Sequence, residues 1–234
     1  MTGKLYLIPN TLGPSGPEFV LPEKVFQIIR GLNYFIVENV RNARRFIIQC
    51  GYTQLIDEIR FYELNKHTNP RELITYLDIC EKGTDIGLIS EAGVPGVADP
   101  GADIVSLAHS KGIRVIPLVG PSSILMALMA SGMNGQNFCF HGYLPIKGHE
   151  RTRKIKELET AALKTRQTQI FIETPYRNNT LIEDLIKTCH PGTKLCIACD
   201  ISLESELVLS LDIANWKKRK TDLHKRPCVF LIGK

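Results

Sequence analysis

From Lys4 to Gly132 the chain alternates two hydrophobic patterns: short continuous apolar or β-branched runs, and longer segments whose apolar residues return every three or four positions. The first pattern predicts buried strands and the second amphipathic helices. "KLYLIP" predicts a strand. "PEKVFQIIRGL" then predicts a helix with Val25, Ile28, Ile29 and Leu32 on one face, entered after Pro22. "YFIVEN" predicts a strand and "ARRFIIQCGY" a helix. "PRELITYLDICEKG" predicts one helix that opens on Pro70, stacks Leu73, Ile74 and Leu77, and stops at Gly83. "DIGLIS" and "IRVIPLVG" predict strands, separated by a helix in "ADIVSLAHSKG" and followed by a helix in "PSSILMALMASG". Strand–helix alternation of this kind predicts an α/β domain with a largely parallel sheet.

The pattern changes after Gly120. "FCFHGYLP" and "TQIFIET" predict strands around the charged helix "GHERTRKIKELETAAL". "RNNTLIEDLIKTC" then places Leu181, Ile182, Leu185 and Ile186 on one helical face. The last three runs, "KLCIACDIS", "SELVLSL" and "PCVFLIG", predict strands with few helices between them, which favours a mixed sheet and an α+β organisation. The expected domains are residues 1–119 and 120–234, and no internal repeat or low-complexity tract occurs.

With 234 residues and a 44% hydrophobic fraction, either domain can build a core. No apolar run approaches the roughly 20 residues that span a bilayer, and the start lacks a basic leader with an apolar stretch, so no membrane association and no signal peptide are expected. Seven scattered cysteines suit reduced thiols in a cytoplasm better than a disulfide framework. The net charge of +5 permits a nucleic-acid partner without requiring one. Three basic clusters carry much of it: Arg41–Arg45, His149–Lys156 and Lys217–Arg226. Taken singly, each reads first as a solvated helix face or loop; the three together bring a polyanionic partner level with that reading.

Several common motifs are missing: G-x-G-x-x-G after the first strand, the P-loop, H-E-x-x-H and G-x-S-x-G. "CIAC" lies within a predicted strand, where residues three apart face opposite ways, so Cys196 and Cys199 read as core thiols rather than metal ligands. The six histidines show no chelate spacing, and no metal site is expected. Glycine- and proline-rich loops remain at the carboxyl ends of three strands: "IPNTLGPSG", "SEAGVPGVADPG" and "VGPSS". In an open α/β sheet that edge binds ligands. Ser122 and Ser123 open a helix there, as N-caps, as donors to a ligand, or both.

These loops carry a specific likeness. Ser90-Glu91-Ala92-Gly93-Val94-Pro95, Asp99-Pro100-Gly101, Val119-Gly120-Pro121-Ser122-Ser123 and Gly142-Tyr143-Leu144-Pro145 resemble the S-D-A-G-T-P…D-P-G, P-G-P-S-A and G-F-L-P patterns of the tetrapyrrole methylase superfamily. Within it they resemble the small-subunit ribosomal RNA methyltransferase I group, which methylates a cytidine ribose 2′-hydroxyl. "LYLIPNTLG", "VENVRN", "FIETPYRN" and "LCIACDISLE" resemble further family segments, so the likeness covers most of the chain. It implies a two-domain α/β fold with an S-adenosylmethionine cleft between a parallel-sheet and a mixed-sheet domain, and a homodimer acting on ribosomal small-subunit RNA in the cytoplasm. Carried over residue by residue, it implies that the cofactor meets Leu12, Glu91, Ala92, Gly93, Val94, Ser122, Ser123, Cys199 and Pro227, with Tyr143 and Leu144 alongside.

Small residues at Ala92 and Gly93 let main chain approach a ligand. Glu91 suits a sulfonium cation, worth about 4 kcal/mol at 4 Å and an effective dielectric of 20. Methyl transfer asks chiefly for alignment, which can supply roughly 7–11 kcal/mol. A ribose hydroxyl is a poor nucleophile that a carboxylate could deprotonate. By position the candidates are Glu38, Asp99 and Glu173. Glu38 is favoured, with Arg41 engaging phosphate; Glu38 as a cap or ion-pair partner, and Asp99 as a turn brace, remain alternatives. The chain departs from the group pattern at Glu91 (Asp), Val94 (Thr), Asn39 (an acid), Asp200 (Arg) and Ile201 (Glu), and is expected to be a short form without the C-terminal extension. A methyltransferase of a tetrapyrrole or other small molecule, and a non-catalytic S-adenosylmethionine-binding relative, are the competing readings.

Overall fold

The computed structural model describes residues 2–53, 56–65 and 68–234. The chain divides into two compact units, Met1–Ser122 and Ser123–Lys234.

In the first unit, β1 (Lys4–Ile8), β2 (Tyr34–Val37), β3 (Arg60–Glu63), β4 (Ile86–Ile89) and β5 (Arg114–Pro117) form an all-parallel sheet in the order β3-β2-β4-β1-β5. The helices are α1 (Glu23–Arg30), α2 (Val40–Gln49), α3 (Pro70–Leu73), α4 (Asp78–Glu81) and α5 (Gly101–Ser110). Strand side chains alternate between faces. Ile8, Phe35, Val37 and Ile89 therefore pack with α1 and α2 residues such as Val25, Ile29, Phe46 and Ile47. Leu5, Ile36, Ile86 and Leu88 pack on the other side with Leu77, Cys80, Ile104 and Ala108. Each fully buried aliphatic or aromatic side chain contributes about 1.5–3 kcal/mol, so covering both faces explains why the strands read as unbroken apolar runs.

Two local expectations are corrected. Residues 70–83 do not form one helix. They form two single turns, α3 and α4, because the chain tightens at Thr75 and Tyr76, whose N–H groups bond three residues back to Glu72 and Leu73. The Thr75 hydroxyl also donates to the Glu72 carbonyl at 2.7 Å, and the Tyr76 hydroxyl reaches the Glu63 carbonyl at 2.6 Å. These side-chain bonds compete with helix continuation. The edge strand β3, "RFYE", also went unpredicted, being short and half polar.

In the second unit, β6 (Phe138–Tyr143), β7 (Thr168–Ile172), β8 (Lys194–Cys199), β9 (Leu207–Asp212) and β10 (Cys228–Gly233) form a mixed sheet in the order β6-β7-β10-β8-β9, with only β6 and β7 parallel. One face carries α7 (Gly148–Thr165), α8 (Asn178–Thr188) and α9 (Ile213–Trp216), which close a core containing Phe171, Phe230, Leu185 and Trp216. α6 (Ser123–Ser131) packs on β8, β9 and β10. The fold class is α/β, with one parallel and one mixed sheet, as the patterning predicts.

Candidate functional site

In the first unit, β1 leads through α1 to β2, and β4 leads through α5 to β5. The two connections leave neighbouring strands toward opposite faces, so the switch point of the sheet lies between β1 and β4. The loops leaving these strands are stapled together. Asn10 and Gly93 exchange backbone hydrogen bonds at 2.8 and 3.2 Å. The buried Asn10 amide donates to the Ser90 and Glu91 carbonyls at 3.0 and 3.3 Å, and the Ser90 hydroxyl donates to the Gly93 carbonyl at 2.6 Å. Gly93 has φ +70°, and a Cβ there would lie 3.2 Å from Leu12 Cδ2 and 3.3 Å from the Pro121 carbonyl. Leu12, Gly93 and Pro121 thus converge on one cradle that a side chain would fill, which fits a loop built to admit a ligand. Gly120 is equally constrained, since a Cβ would collide with the Pro9 ring. Ala92 is exposed and Val94 half-buried beside the cradle; Ser122 directly precedes α6 and Ser123 is its first residue.

Three carboxylates gather at this edge. Burial raises the pKa of Glu38 above its ordinary value, and the charges of Glu91 and then Asp99 raise it further. Glu91 is exposed and anchored, its Oε2 accepting from the Asn42 amide at 2.7 Å. Asp99 Oδ1 accepts the Gly96 and Gly101 N–H groups at 2.7 and 2.8 Å. Burial still raises its pKa, against the opposing effect of those two bonds. Asp99 therefore braces the turn into α5. Glu38, exposed, directly follows β2 and has no such commitment among the described residues, and Arg41 stands exposed on the first turn of α2. α2 is capped by Asn39, whose side chain accepts the Asn42 N–H at 3.1 Å, which accounts for the asparagine where the family pattern has an acid.

In the second unit the ends of β6, β7 and β8 and the start of β10 share one sheet edge. It carries the exposed Tyr143, the buried Leu144, Cys199 and the exposed Pro227. Cys199 and Cys228 stand directly opposite each other. Hydrogen bonding between their thiols holds Cys199 below the usual thiol range and pushes Cys228 above it. The Asp200 N–H donates to the Pro227 carbonyl at 2.9 Å. Asp200 Oδ2 accepts from Arg226 Nε at 2.7 Å and from the Ser205 hydroxyl at 3.0 Å. The acid at position 200 is thereby neutralised by an arginine 26 residues away. Glu173 is buried beside Tyr143's strand and anchors Arg177 at 2.6 Å and the Thr174 N–H at 2.7 Å. Among the described residues no cluster of three metal-ligating side chains occurs; His67 lies outside them.

The sequence reading did not pick out Asn10, Asn42, Ser205 or Arg226. Asn10 alone carried a local signal, an asparagine at the end of a strand where its side chain can close a turn.

Similarity to named methyltransferases over nearly the whole chain makes this an S-adenosylmethionine-dependent methyltransferase. The chain aligns over 98% of its length, at 25% identity, with the ribosomal RNA small subunit methyltransferase I of Escherichia coli O157:H7, covering 77% of that protein. The Vibrio cholerae protein of the same name is 26% identical over 97% of this chain and 76% of its own length. That of Halalkalibacterium halodurans is 31% identical over 79% of this chain and 60% of its own length. Among solved structures, the methyltransferase CobJ superposes with a TM-score of 0.65 at 16% identity, covering 100% of this chain and 95% of its own. The cobalt precorrin-4 methyltransferase CbiF gives 0.62 at 13%, covering 98% and 94%. No protein-family model matches the chain. The chain shares the fold of these solved methyltransferases and is similar in sequence, over nearly its whole length, to small-subunit ribosomal RNA methyltransferases I.

Proposed function

We infer that this enzyme transfers a methyl group to a ribose 2′-hydroxyl of small-subunit ribosomal RNA. The observation that carries the reading is the alignment of proteins named for that RNA over 97–98% of this chain. Bound S-adenosylmethionine would supply an electrophilic methyl on a sulfonium, with a good leaving group. In the first unit, Leu12, Glu91, Ala92, Gly93, Val94 and Ser122 are the residues that would hold it; Ser123, Tyr143, Leu144, Cys199 and Pro227 of the second unit are those the family resemblance adds. The turn at Gly93 fits this assignment because only a residue without a side chain lets Leu12 and the Pro121 carbonyl approach the loop so closely.

Glu38 is the proposed general base. It directly follows a strand at the ligand-binding edge, and its raised pKa makes it a better proton acceptor than an ordinary carboxylate once ionised. Glu91, fastened by Asn42, keeps negative charge beside the cradle for a cationic donor. Arg41 would hold a phosphate of the substrate. Asp99 keeps the loop from Gly96 to Gly101 closed. The enzyme works as a homodimer in the cytoplasm, a reading supported by the family resemblance and by seven free cysteines.

Loss of the gene should erase one or more ribose methylations from small-subunit RNA, and the purified enzyme with S-adenosylmethionine should restore them. An unchanged methylation map would sink the RNA reading.

A further inference from the structure

We propose that the surface of α2 is the seat of a single-stranded RNA segment flanking the methylated nucleotide, with Arg44 and Arg45 as its phosphate and base contacts. The proposal rests on the RNA reading above. A concavity of about 570 Å³ is lined by Asn39, Arg41, Arg44, Arg45, Ile48 and Glu63. Residues 41, 45 and 48 lie along one helical stripe over about two turns, with Arg41 and Arg45 about 6 Å apart along the axis. The stripe therefore offers positive charge in steps, as a strand with one phosphate per nucleotide requires.

The groove is tied to the candidate site within the same unit. Its first residues follow Glu38 directly, and Asn42, one turn into the helix, holds Glu91. RNA lying along α2 therefore delivers its neighbouring nucleotide to the carboxylate that is the proposed base. Of the three basic clusters this is the one that follows Glu38 directly in the chain. On α7, Arg153 and Lys154 each reach Glu157 at 3.6–3.7 Å, while Lys156 stands exposed. Arg151 is buried against Asp184. In the cluster near the C-terminus Arg226 is taken by Asp200, while Lys217, Lys218, Arg219 and Lys220 stand exposed. In α2, neither Arg41 nor Arg45 is in an ion pair among the described residues. Arg44 has only Asp57, at 3.9 Å and largely solvent-exposed.

The same groove suits unpaired bases. The Arg44 guanidinium lies 5.6 Å from the centre of the Phe61 ring, which fixes it as a plane, and Ile48 is 56% exposed beside it. Guanidinium planes and apolar side chains stack the faces of unpaired bases, which a duplex does not present. Glu63 supplies an acceptor that a base amine can use and a phosphate cannot.

The test is a fluorescence-anisotropy titration of a labelled single-stranded fragment of small-subunit RNA, and of its duplex, between 50 and 200 mM salt. Wild type is compared with Arg44→Ala, Arg45→Ala, the double variant and Arg45→Lys. Each alanine should reduce the slope of log K against log salt by about 0.7 and weaken binding at 0.1 M salt roughly fivefold. The double variant should lose about 25-fold by the same relation, and Arg45→Lys should keep the wild-type slope. S-adenosylmethionine binding by every variant should equal wild type, which establishes that the variants are folded. Wild-type slope and affinity in the double variant would overturn the groove while leaving the RNA reading intact. Duplex bound as tightly as single strand would overturn the single-strand assignment. A wild type that binds neither RNA would overturn both readings.

Discussion

Two carboxylates at the first unit's sheet edge are distinguished by what their oxygens already do. Glu38 sits near Glu91 and Asp99, and its pKa is raised by burial first and by those charges second. Its folded pKa lies above its unfolded one, so its contribution is fully present below about pH 4. It is lost as pH rises through the folded value, because ionisation there is resisted. Glu38→Gln should therefore raise Tm at pH 7 and leave it unchanged near pH 4. The same substitution should lower kcat by about 10²–10⁴-fold and abolish the rise of activity with pH that wild type shows above the ordinary carboxylate range. Equal pH–rate profiles would remove Glu38 as the base. Asp99 answers to a different pair of variants. Its Oδ1 receives two backbone N–H groups, so Asp99→Ala should cost about 1–3 kcal/mol, whereas Asp99→Asn keeps the acceptor and should keep most of the stability in denaturant titrations. Activity surviving in the asparagine variant would assign Asp99 to the turn alone. Residue types and spacing exposed both acids in the sequence and offered Asp99 as a turn brace, but which N–H groups the loop turns toward Asp99 is seen only in the fold.

At the scale of elements, the strands and most helices were legible because hydrophobic period is a local property, and both sheet faces demand it. The break between α3 and α4 was not, since it depends on Tyr76 reaching Glu63, a residue from β3 that periodicity cannot bring near. The ligand loop lies between these cases. Its glycines announced permissive backbone, yet only the fold shows which one is required: Gly93, paired to Asn10 and facing Leu12 and Pro121. Gly93→Ala must adopt φ near +70°, costing about 1–2 kcal/mol, and adds a methyl at 3.2–3.3 Å from its neighbours. Thermal melts should register that loss. Calorimetry should find S-adenosylmethionine affinity reduced at least tenfold in the variant, since the methyl also occupies the cradle. Wild-type affinity would detach Gly93 from cofactor binding. Gly112, in the same left-handed region but with open space within 4 Å of where a Cβ would stand, is the control: Gly112→Ala should cost stability and leave binding alone.

For the molecule as a whole, S-adenosylmethionine must stabilise the folded chain, because a ligand that binds only the native state adds RT ln(1 + [L]/Kd). At one hundred times Kd this is about 2.7 kcal/mol, and for a chain of this length each kcal/mol moves Tm by roughly 2–4 °C, so a rise of about 5–10 °C is expected. The single tryptophan, Trp216, is a built-in reporter for the second unit. It is fully buried, and its indole N–H donates to the Leu195 carbonyl at 2.8 Å. Its fluorescence should follow the ligand-dependent shift if Cys199 and Pro227 contact the cofactor, because β8, which carries Leu195, also carries Cys199. Arg226→Ala sharpens the test. It strands Asp200, only 8% exposed, at a cost of about 3–5 kcal/mol, and frees the turn beside Pro227 that Arg226 closes through Asp200 and the Ser205 carbonyl at 2.6 Å. Asp200 and Arg226 together should be nearly replaceable by an uncharged pair: the double variant Asp200→Asn, Arg226→Gln should recover most of the melting temperature, since no charge is then left buried. If the recovered variant also regains the S-adenosylmethionine-induced shift, the ion pair serves to hold the edge in shape. If it melts like wild type but no longer responds to the cofactor, the charges themselves are read by the ligand, and the acid that stands at the family's arginine position is a difference in binding chemistry rather than a compensated exchange.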